Sequence, residues 1–180
     1  AANNYAGVSD VIKEAGLAEV PQAKVAVFVG NAWDPKEGRE NPWIDIARQL
    51  AGDKGVELLG TAAKTSPPGT ETIGKIFQAA GGPVLILFDE VLNFLNRHRN
   101  MADSFYAFFD NINRATTGTT HCATVMSLPR SQMEMTEWDS QWQDKITKVV
   151  RRVAKDLIAN DETEISEVIR RRLFEDLGSE

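Results

Sequence analysis

The chain has 180 residues, of which 26 are acidic and 20 are basic, so its formal net charge is −6. This length suits one compact domain or a large part of one. A 42% share of hydrophobic residues is enough to form a core, which excludes a disordered acidic tail. The acidic balance gives no support to nucleic-acid binding through a broad basic surface.

Signals for secretion and for membrane insertion are missing from the sequence. The longest apolar stretch, 83–88, is far shorter than the roughly 20 residues that span a bilayer, and no charged-then-apolar leader indicates a signal peptide. The single cysteine, Cys122, excludes an internal disulfide and fits a reducing compartment. We therefore expect a cytoplasmic protein with no membrane partner. Because Ala1 stands where a methionine would start a gene product, we also expect a fragment or a trimmed product.

The first half of the chain alternates between predicted helix and predicted strand. A short helix is expected over 10–15, and the uniformly apolar run 24–29 predicts a strand buried on both faces. The sequence Asn-Pro-Trp at 41–43 predicts the start of a second helix, because proline favours the first helical position. Gly52 and Gly55 are expected to end that helix.

The middle of the chain continues the alternation. We expect a helix over 71–80, a buried strand over 84–88, a helix from Asp103 to Arg114 and a third buried strand over 122–126. Strands that are apolar on both faces and alternate with helices are typical of parallel sheets covered on two sides. The sequence therefore predicts an α/β fold, a three-layer sandwich with a mainly parallel sheet.

From Thr136 onward the pattern is purely helical. Apolar residues recur every three or four positions along one predicted helix that ends near Asn160, and a last helix is expected over 165–177. This change of pattern predicts two parts, an α/β core over 1–135 and C-terminal helices over 136–180.

Two adjacent carboxylates, Asp89 and Glu90, directly follow the second buried strand. One interpretation is a nucleotide site of the Walker B type, in which Asp89 holds Mg²⁺ and Glu90 polarises the attacking water. The alternative is structural: Asp89 caps a helix over 91–97, and Glu90 lies in its first turn, where the helix dipole favours acids. Ser127 ends the next strand, so its hydroxyl is expected beside Asp89 and Glu90 at the carboxyl edge of the sheet.

An apolar strand ending in Asp-Glu, then a helix, then a strand ending in a small polar residue resembles the core of AAA+ ATPases. Together with the segment Glu164–Phe174, the stretch Gly82–Glu90 also resembles large predicted ATPases of bacteria and archaea. The resemblance implies that ATP and Mg²⁺ bind to the full-length protein, that Ser127 is sensor 1, which contacts the γ-phosphate, and that the C-terminal helices lead toward a lid. It also implies a homo-oligomer that remodels proteins or nucleic acids, although the charge of this chain gives nucleic acid no support.

The phosphate-binding loop of that family is missing. One segment, Gly69–Ile76, nearly matches the P-loop pattern, but Ile76 replaces the hydroxyl that binds Mg²⁺ and no strand precedes the segment. We interpret it as an ordinary helix face and expect the P-loop upstream of Ala1. This chain alone is then expected to bind ATP weakly and not to hydrolyse it.

Two arginines remain as candidates for contact with a phosphate. Arg171 lies in the run 170–172 and Arg130 follows the third strand; the alternatives are a solvated helix face and a loop charge. A rival hypothesis for the whole chain is a non-enzymatic interaction module, in which a helix with a stripe of Trp138 and Trp142 docks a partner.

Overall fold

The structure is a computed structural model that describes residues 8–19, 22–128 and 135–151. Its helices and strands alternate along the chain as the sequence predicts. The elements are α1 (Val8–Glu14), β1 (Lys24–Val29), α2 (Pro42–Leu59), α3 (Thr70–Ala79), β2 (Val84–Asp89), α4 (Val91–Arg97), α5 (Ala102–Gly118), β3 (Cys122–Met126) and α6 (Glu137–Val150), with short 3-10 turns at Thr61–Lys64 and Arg99–Met101. None of these helices has the length and apolar character needed to cross a bilayer.

The three strands form one parallel sheet in the order β1-β2-β3. This confirms the α/β class and the parallel pairing. The sheet grows in one direction, so right-handed crossovers place the connecting helices on the same face. That face is buried by aromatic packing: Phe28 of β1 and Phe88 of β2 both contact Phe105 of α5, with ring centroids 5.4 and 6.2 Å apart.

The other face of the sheet differs from the prediction, because the described residues leave it largely uncovered. Val25 and Val27 of β1 are 44% and 43% exposed, and Val125 of β3 is 44% exposed. We call this surface the open face. Its members are Val25, Val27, Leu85, Leu87, Ala123 and Val125. The prediction that strands β1 and β3 are buried on both sides is therefore wrong for the described residues, in which the sandwich has two layers.

Helix α2 starts where it was predicted, and its first segment ends at Ala51 and Gly52, as was predicted for Gly52. Asn41 is the buried N-cap: its Oδ1 accepts from Ile44 N at 3.1 Å, and its Nδ2 donates to Ala63 O at 2.7 Å. Gly52 adopts φ 59° and breaks the helical geometry, yet the helix resumes and reaches Leu59. Gly55 does not end the helix as expected but packs closely against the carbonyl of Ala47.

Helix α6 begins with a capping box, in which Thr136 and Asp139 satisfy each other's backbone N–H groups. Its apolar stripe is buried, with Trp142, Ile146 and Val149 each 6% exposed or less, and the helix packs against α4 and α5. The expected continuation to Asn160 and the last helix over 165–177 lie outside the described residues.

Candidate functional site

Asp89 and Ser127 lie side by side at the carboxyl ends of two neighbouring strands. Phe88 of β2 pairs with Met126 of β3, so the residues that follow them, Asp89 and Ser127, are neighbours. Ser127 N donates to Phe88 O at 2.9 Å, which continues the ladder by one residue. The Ser127 hydroxyl donates to Oδ1 of Asp89 in a short hydrogen bond. The expected proximity of the two side chains is confirmed.

Glu90 has an unusual backbone conformation and an unusual carboxylate environment. Its φ of 52° and ψ of 38° lie in the left-handed region, where a non-glycine residue is strained. Its Oε2 atom is buried and has no hydrogen-bond partner among the described residues. Both features are costly for folding, and strained residues and unsatisfied buried polar atoms concentrate at functional sites.

Gly30, at the end of β1, makes this geometry possible. Its N–H donates to Asp89 O at 2.8 Å, and a Cβ built on Gly30 would lie 2.1 Å from the Glu90 carbonyl oxygen. No side chain fits in that space. From the sequence, Gly30 was predicted only to end a strand. The available signal was its position directly after a strand that is parallel to the strand ending in the two acids.

The structural alternative for the two acids was that Asp89 caps the helix at 91–97. In the structure Glu90 takes the N-cap position of α4, and no side chain caps that helix. Asp89 Oδ1 instead accepts from the N–H of the adjacent residue, Glu90, at 3.0 Å. The capping interpretation of Asp89 is therefore wrong, whereas Glu90 does lie at the N-terminus of α4.

The donor set at this edge suits a cation that is bound only in part by protein. Asp89 is exposed, and its Oδ1 is oriented by Ser127 and by Glu90 N. Among the described residues, no cluster of three or more His, Cys, Asp or Glu side chains could hold a metal ion alone. Mg²⁺ binds through one or two carboxylates plus waters and phosphate oxygens, so a single accessible aspartate fits Mg²⁺ and does not fit a structural zinc site.

The near match to a P-loop is a helix, as interpreted from the sequence. Gly69 is the N-cap of α3, and Ile73, Ile76 and Phe77 face the core. Lys75 is paired with Glu71 one turn earlier at 2.7 Å, and this hydrogen bond lowers the pKa of Glu71. The Lys75 ammonium is therefore engaged on the surface of α3 and belongs to no phosphate loop.

Arg97 organises the loop after β1, which sequence analysis did not foresee. Its guanidinium donates to Asn31 O in a short hydrogen bond and to Oδ1 of Asp34 at 3.0 Å. These contacts join the carboxyl end of β1 to the end of α4. Asn31 itself is exposed.

The remaining predicted candidates fall in two groups. Arg130 and Arg171 lie outside the described residues. The tryptophan helix is described, and most of its stripe packs inside the protein. Trp138 is half-buried and lies between Trp142 and Arg99, whose guanidinium carbon is 4.7 Å from the Trp138 ring centroid.

Comparison of the chain with protein-family models, with curated proteins and with solved structures found no match.

Proposed function

We propose that the chain is part of an ATP-binding and ATP-hydrolysing protein of the AAA+ type, with a P-loop NTPase core. Asp89 is the Walker B carboxylate that holds the metal, Glu90 is the general base and Ser127 is sensor 1. The proposal rests on one observation above all. A strained glutamate, whose buried carboxylate oxygen has no partner among the described residues, follows an accessible aspartate that is hydrogen-bonded to the next strand's serine.

The three side chains have separate tasks in this proposal. Glu90 accepts a proton from the attacking water through its carboxylate. Its Oε2 has no hydrogen-bond partner among the described residues. Asp89 is oriented by Ser127 and binds the cation. A hydroxyl can donate only one hydrogen bond, and the Ser127 hydroxyl donates it to Oδ1 of Asp89. The hydroxyl must therefore rotate before it can donate to a phosphate oxygen. Bound Mg²⁺ supplies charge neutralisation on the phosphate oxygens.

The phosphate cradle is not among the described residues, so the proposal assigns it to another segment of the protein. Arg130 and Arg171 stay candidates for phosphate contact. The hydrolysis test therefore uses the longest natural chain that contains this sequence. Glu90→Gln is expected to lower the ATPase rate by about 10²–10⁴-fold, the range for a positioned general base, and to trap bound ATP. Glu71→Gln, a matched change on the exposed side of α3, is expected to keep the parental rate.

Metal binding is tested on the 180-residue chain itself. In NMR spectra, titrated Mn²⁺ is expected to broaden the backbone resonances of residues next to Asp89 and Ser127. Asp89→Asn should raise the Mn²⁺ concentration needed for this broadening at least about tenfold. Asp53→Asn is the control, because Asp53 is exposed on α2 and paired with Arg48. Parental hydrolysis by Glu90→Gln, or Mn²⁺ broadening that ignores Asp89→Asn, would remove the assignment and favour the non-enzymatic interaction module.

A further inference from the structure

Helix α4 follows the strained residue Glu90 and depends on tertiary contacts for its position. It has only seven residues, Val91–Arg97, and helices shorter than about 12–15 residues are marginal in isolation. Among the described residues no side chain caps its N-terminus, and its N-cap residue is in the left-handed conformation. Such a conformation persists only where the surrounding structure enforces it. The contacts that hold α4 therefore also determine the backbone of Glu90.

The start of α4 is packed against the end of β1. Gly30 N–H donates to Asp89 O at 2.8 Å, which fixes the peptide that leads into Glu90. A Cβ built on Gly30 would also lie 3.0 Å from Phe94 Cβ, so the first turn of α4 lies directly on the Gly30 backbone. Phe94 is fully buried, and its ring contacts Trp33 of the loop after β1, with centroids 5.4 Å apart. This packing fixes where the helix begins.

The end of α4 is held to the same part of the chain by one side chain. Arg97, the only charged residue of this helix, donates to Asn31 O and to Oδ1 of Asp34. Asn31 directly follows Gly30, so the two ends of the helix contact adjacent residues. The Arg97–Asp34 ion pair is exposed on both sides and contributes little to stability. The bond to Asn31 O attaches the helix to the backbone itself, and it is the contact that can set the position of α4.

Only one residue separates the sheet from the helix. Strand β2 ends at Asp89, which is paired with Val29 of β1, and α4 begins at Val91. The dihedral angles of Glu90 must therefore absorb any difference in direction between the two elements. When both ends of α4 are attached to the end of β1, those angles are set by the position of the helix and not by the preference of a glutamate for φ < 0.

We propose that Arg97 is a positioning residue for Glu90. By holding the end of α4 to Asn31 O, it keeps Glu90 in the left-handed conformation. The conformational part of this inference needs no activity. Its consequence for hydrolysis rests on the proposed function, in which Glu90 is the general base, and Arg97 then acts through Glu90 and not on the phosphate.

The test is a double-mutant cycle in the 180-residue chain, measured as the urea midpoint of unfolding. In the parent, Glu90→Gly is expected to raise the midpoint, because glycine adopts the left-handed conformation without strain. In the Arg97→Ala protein residue 90 can relax, so the same substitution should raise the midpoint by about half as much or less. An Arg97 that only stabilises the fold would leave this gain unchanged, and that result, like the absence of a gain in the parent, would overturn the proposal.

Arg99→Ala is the matched control for the arginine. Arg99 contacts the opposite neighbour of α4: it donates to Asn96 Oδ1 at 2.8 Å and lies over the ring of Trp138 in α6. Its removal should leave the gain from Glu90→Gly unchanged. A gain that is halved by Arg99→Ala as well would show that any weakening near α4 has this effect, and it would overturn the assignment to Arg97.

Two further variants separate the contacts of Arg97. Asp34→Asn removes the ion pair and keeps the bond to Asn31 O, so the gain from Glu90→Gly should not change; a halved gain would overturn the assignment to that bond. If circular dichroism shows that Arg97→Ala does not fold, Arg97→Lys replaces it. Lysine keeps the charge near Asp34, but its ammonium lacks the planar fork that serves both acceptors.

NMR spectroscopy observes the backbone of residue 90 directly. A positive φ brings an amide proton close to the Hα of the same residue, so the parent should show a strong NOE between these two protons of Glu90. Arg97→Ala is expected to weaken this NOE and Arg99→Ala to preserve it. A strong NOE that persists in Arg97→Ala would contradict the positioning role.

The hydrolysis test uses the longest natural chain that contains this sequence. Arg97→Ala is expected to lower the ATPase rate at least about tenfold with an unchanged KM for ATP, because a displaced general base slows the chemical step. In the Glu90→Gln protein Arg97→Ala should cause no further loss; a further loss of the same size would overturn the role through Glu90. A natural chain without ATPase activity would remove the proposed function, whereas the double-mutant cycle would still decide the positioning by Arg97.

Discussion

Replacing Glu90 by glycine is expected to make the protein more stable while it abolishes the proposed activity. The left-handed conformation at φ 52° costs a non-glycine residue about 1–2 kcal/mol, and glycine removes that cost. The buried Oε2 has no partner within the part of the chain that the structure describes, and such an acceptor costs a further 1–3 kcal/mol or so, which the substitution also removes. Against this, glycine loses about 0.5–1 kcal/mol of chain entropy on folding, and some packing of the glutamate stem is lost. We expect a net gain of about 1–2 kcal/mol in the free energy of unfolding.

Glu90→Ala separates the two contributions. Alanine removes the carboxylate but keeps the left-handed strain, so Glu90→Gly should exceed Glu90→Ala in stability by about 1 kcal/mol. The assay is urea unfolding followed by circular dichroism, with equal m-values required for all three proteins. If the alanine variant is as stable as the glycine variant, the backbone at this position is not strained and the reasoning fails.

Three further predictions concern Gly30, Asn41 and Cys122. Gly30→Ala should lower the free energy of unfolding by about 1–3 kcal/mol, because the new Cβ would lie 2.1 Å from the Glu90 carbonyl oxygen. Gly82→Ala is the control, since a Cβ at Gly82 meets open space. Equal losses of stability in the two variants would contradict the steric argument. Asn41→Ala should cost about 2–3 kcal/mol in thermal or urea unfolding. Asn41→Ser should cost less, because the serine hydroxyl can still accept at the N-cap and only the bond to Ala63 O is lost; equal costs would speak against the cap. Burial raises the pKa of the Cys122 thiol, so less thiolate is present at pH 8.5 than in a free peptide. Iodoacetamide should therefore alkylate the folded protein more slowly than the urea-unfolded protein at that pH. Equal alkylation rates would refute this.

The sequence was sufficient to predict the order of the elements and the meeting of Asp89 with Ser127. Alternation of apolar strands with amphipathic helices depends on local periodicity, and parallel strands bring their carboxyl ends to one edge. The same information was not sufficient to predict coverage of the sheet. A run such as Lys24–Val29 shows that both sides of a strand are apolar, but not which segment of the protein covers each side.

The strain at Glu90 and the steric role of Gly30 could not be predicted either. Nothing in the letters Asp-Glu requires a left-handed backbone, because that conformation results from how β2 turns into α4 under the end of β1. The role of Gly55 was mispredicted for a related reason: Gly52 does break the helix, but Gly55 lies in a second helical segment that reaches Leu59, and it packs against the carbonyl of Ala47. In each case a tertiary contact outweighed the local signal.

The side-chain amide of Gln49 has a consequence for how this protein associates with itself. Its Oε1 accepts from Val27 N at 2.8 Å and its Nε2 donates to Val27 O at 3.0 Å, so it occupies the outward backbone groups of β1 as a neighbouring strand would. An incoming strand must displace this amide before it can pair with β1. Gln49→Ala, which frees these backbone groups, should therefore shorten the lag time of aggregation at elevated temperature.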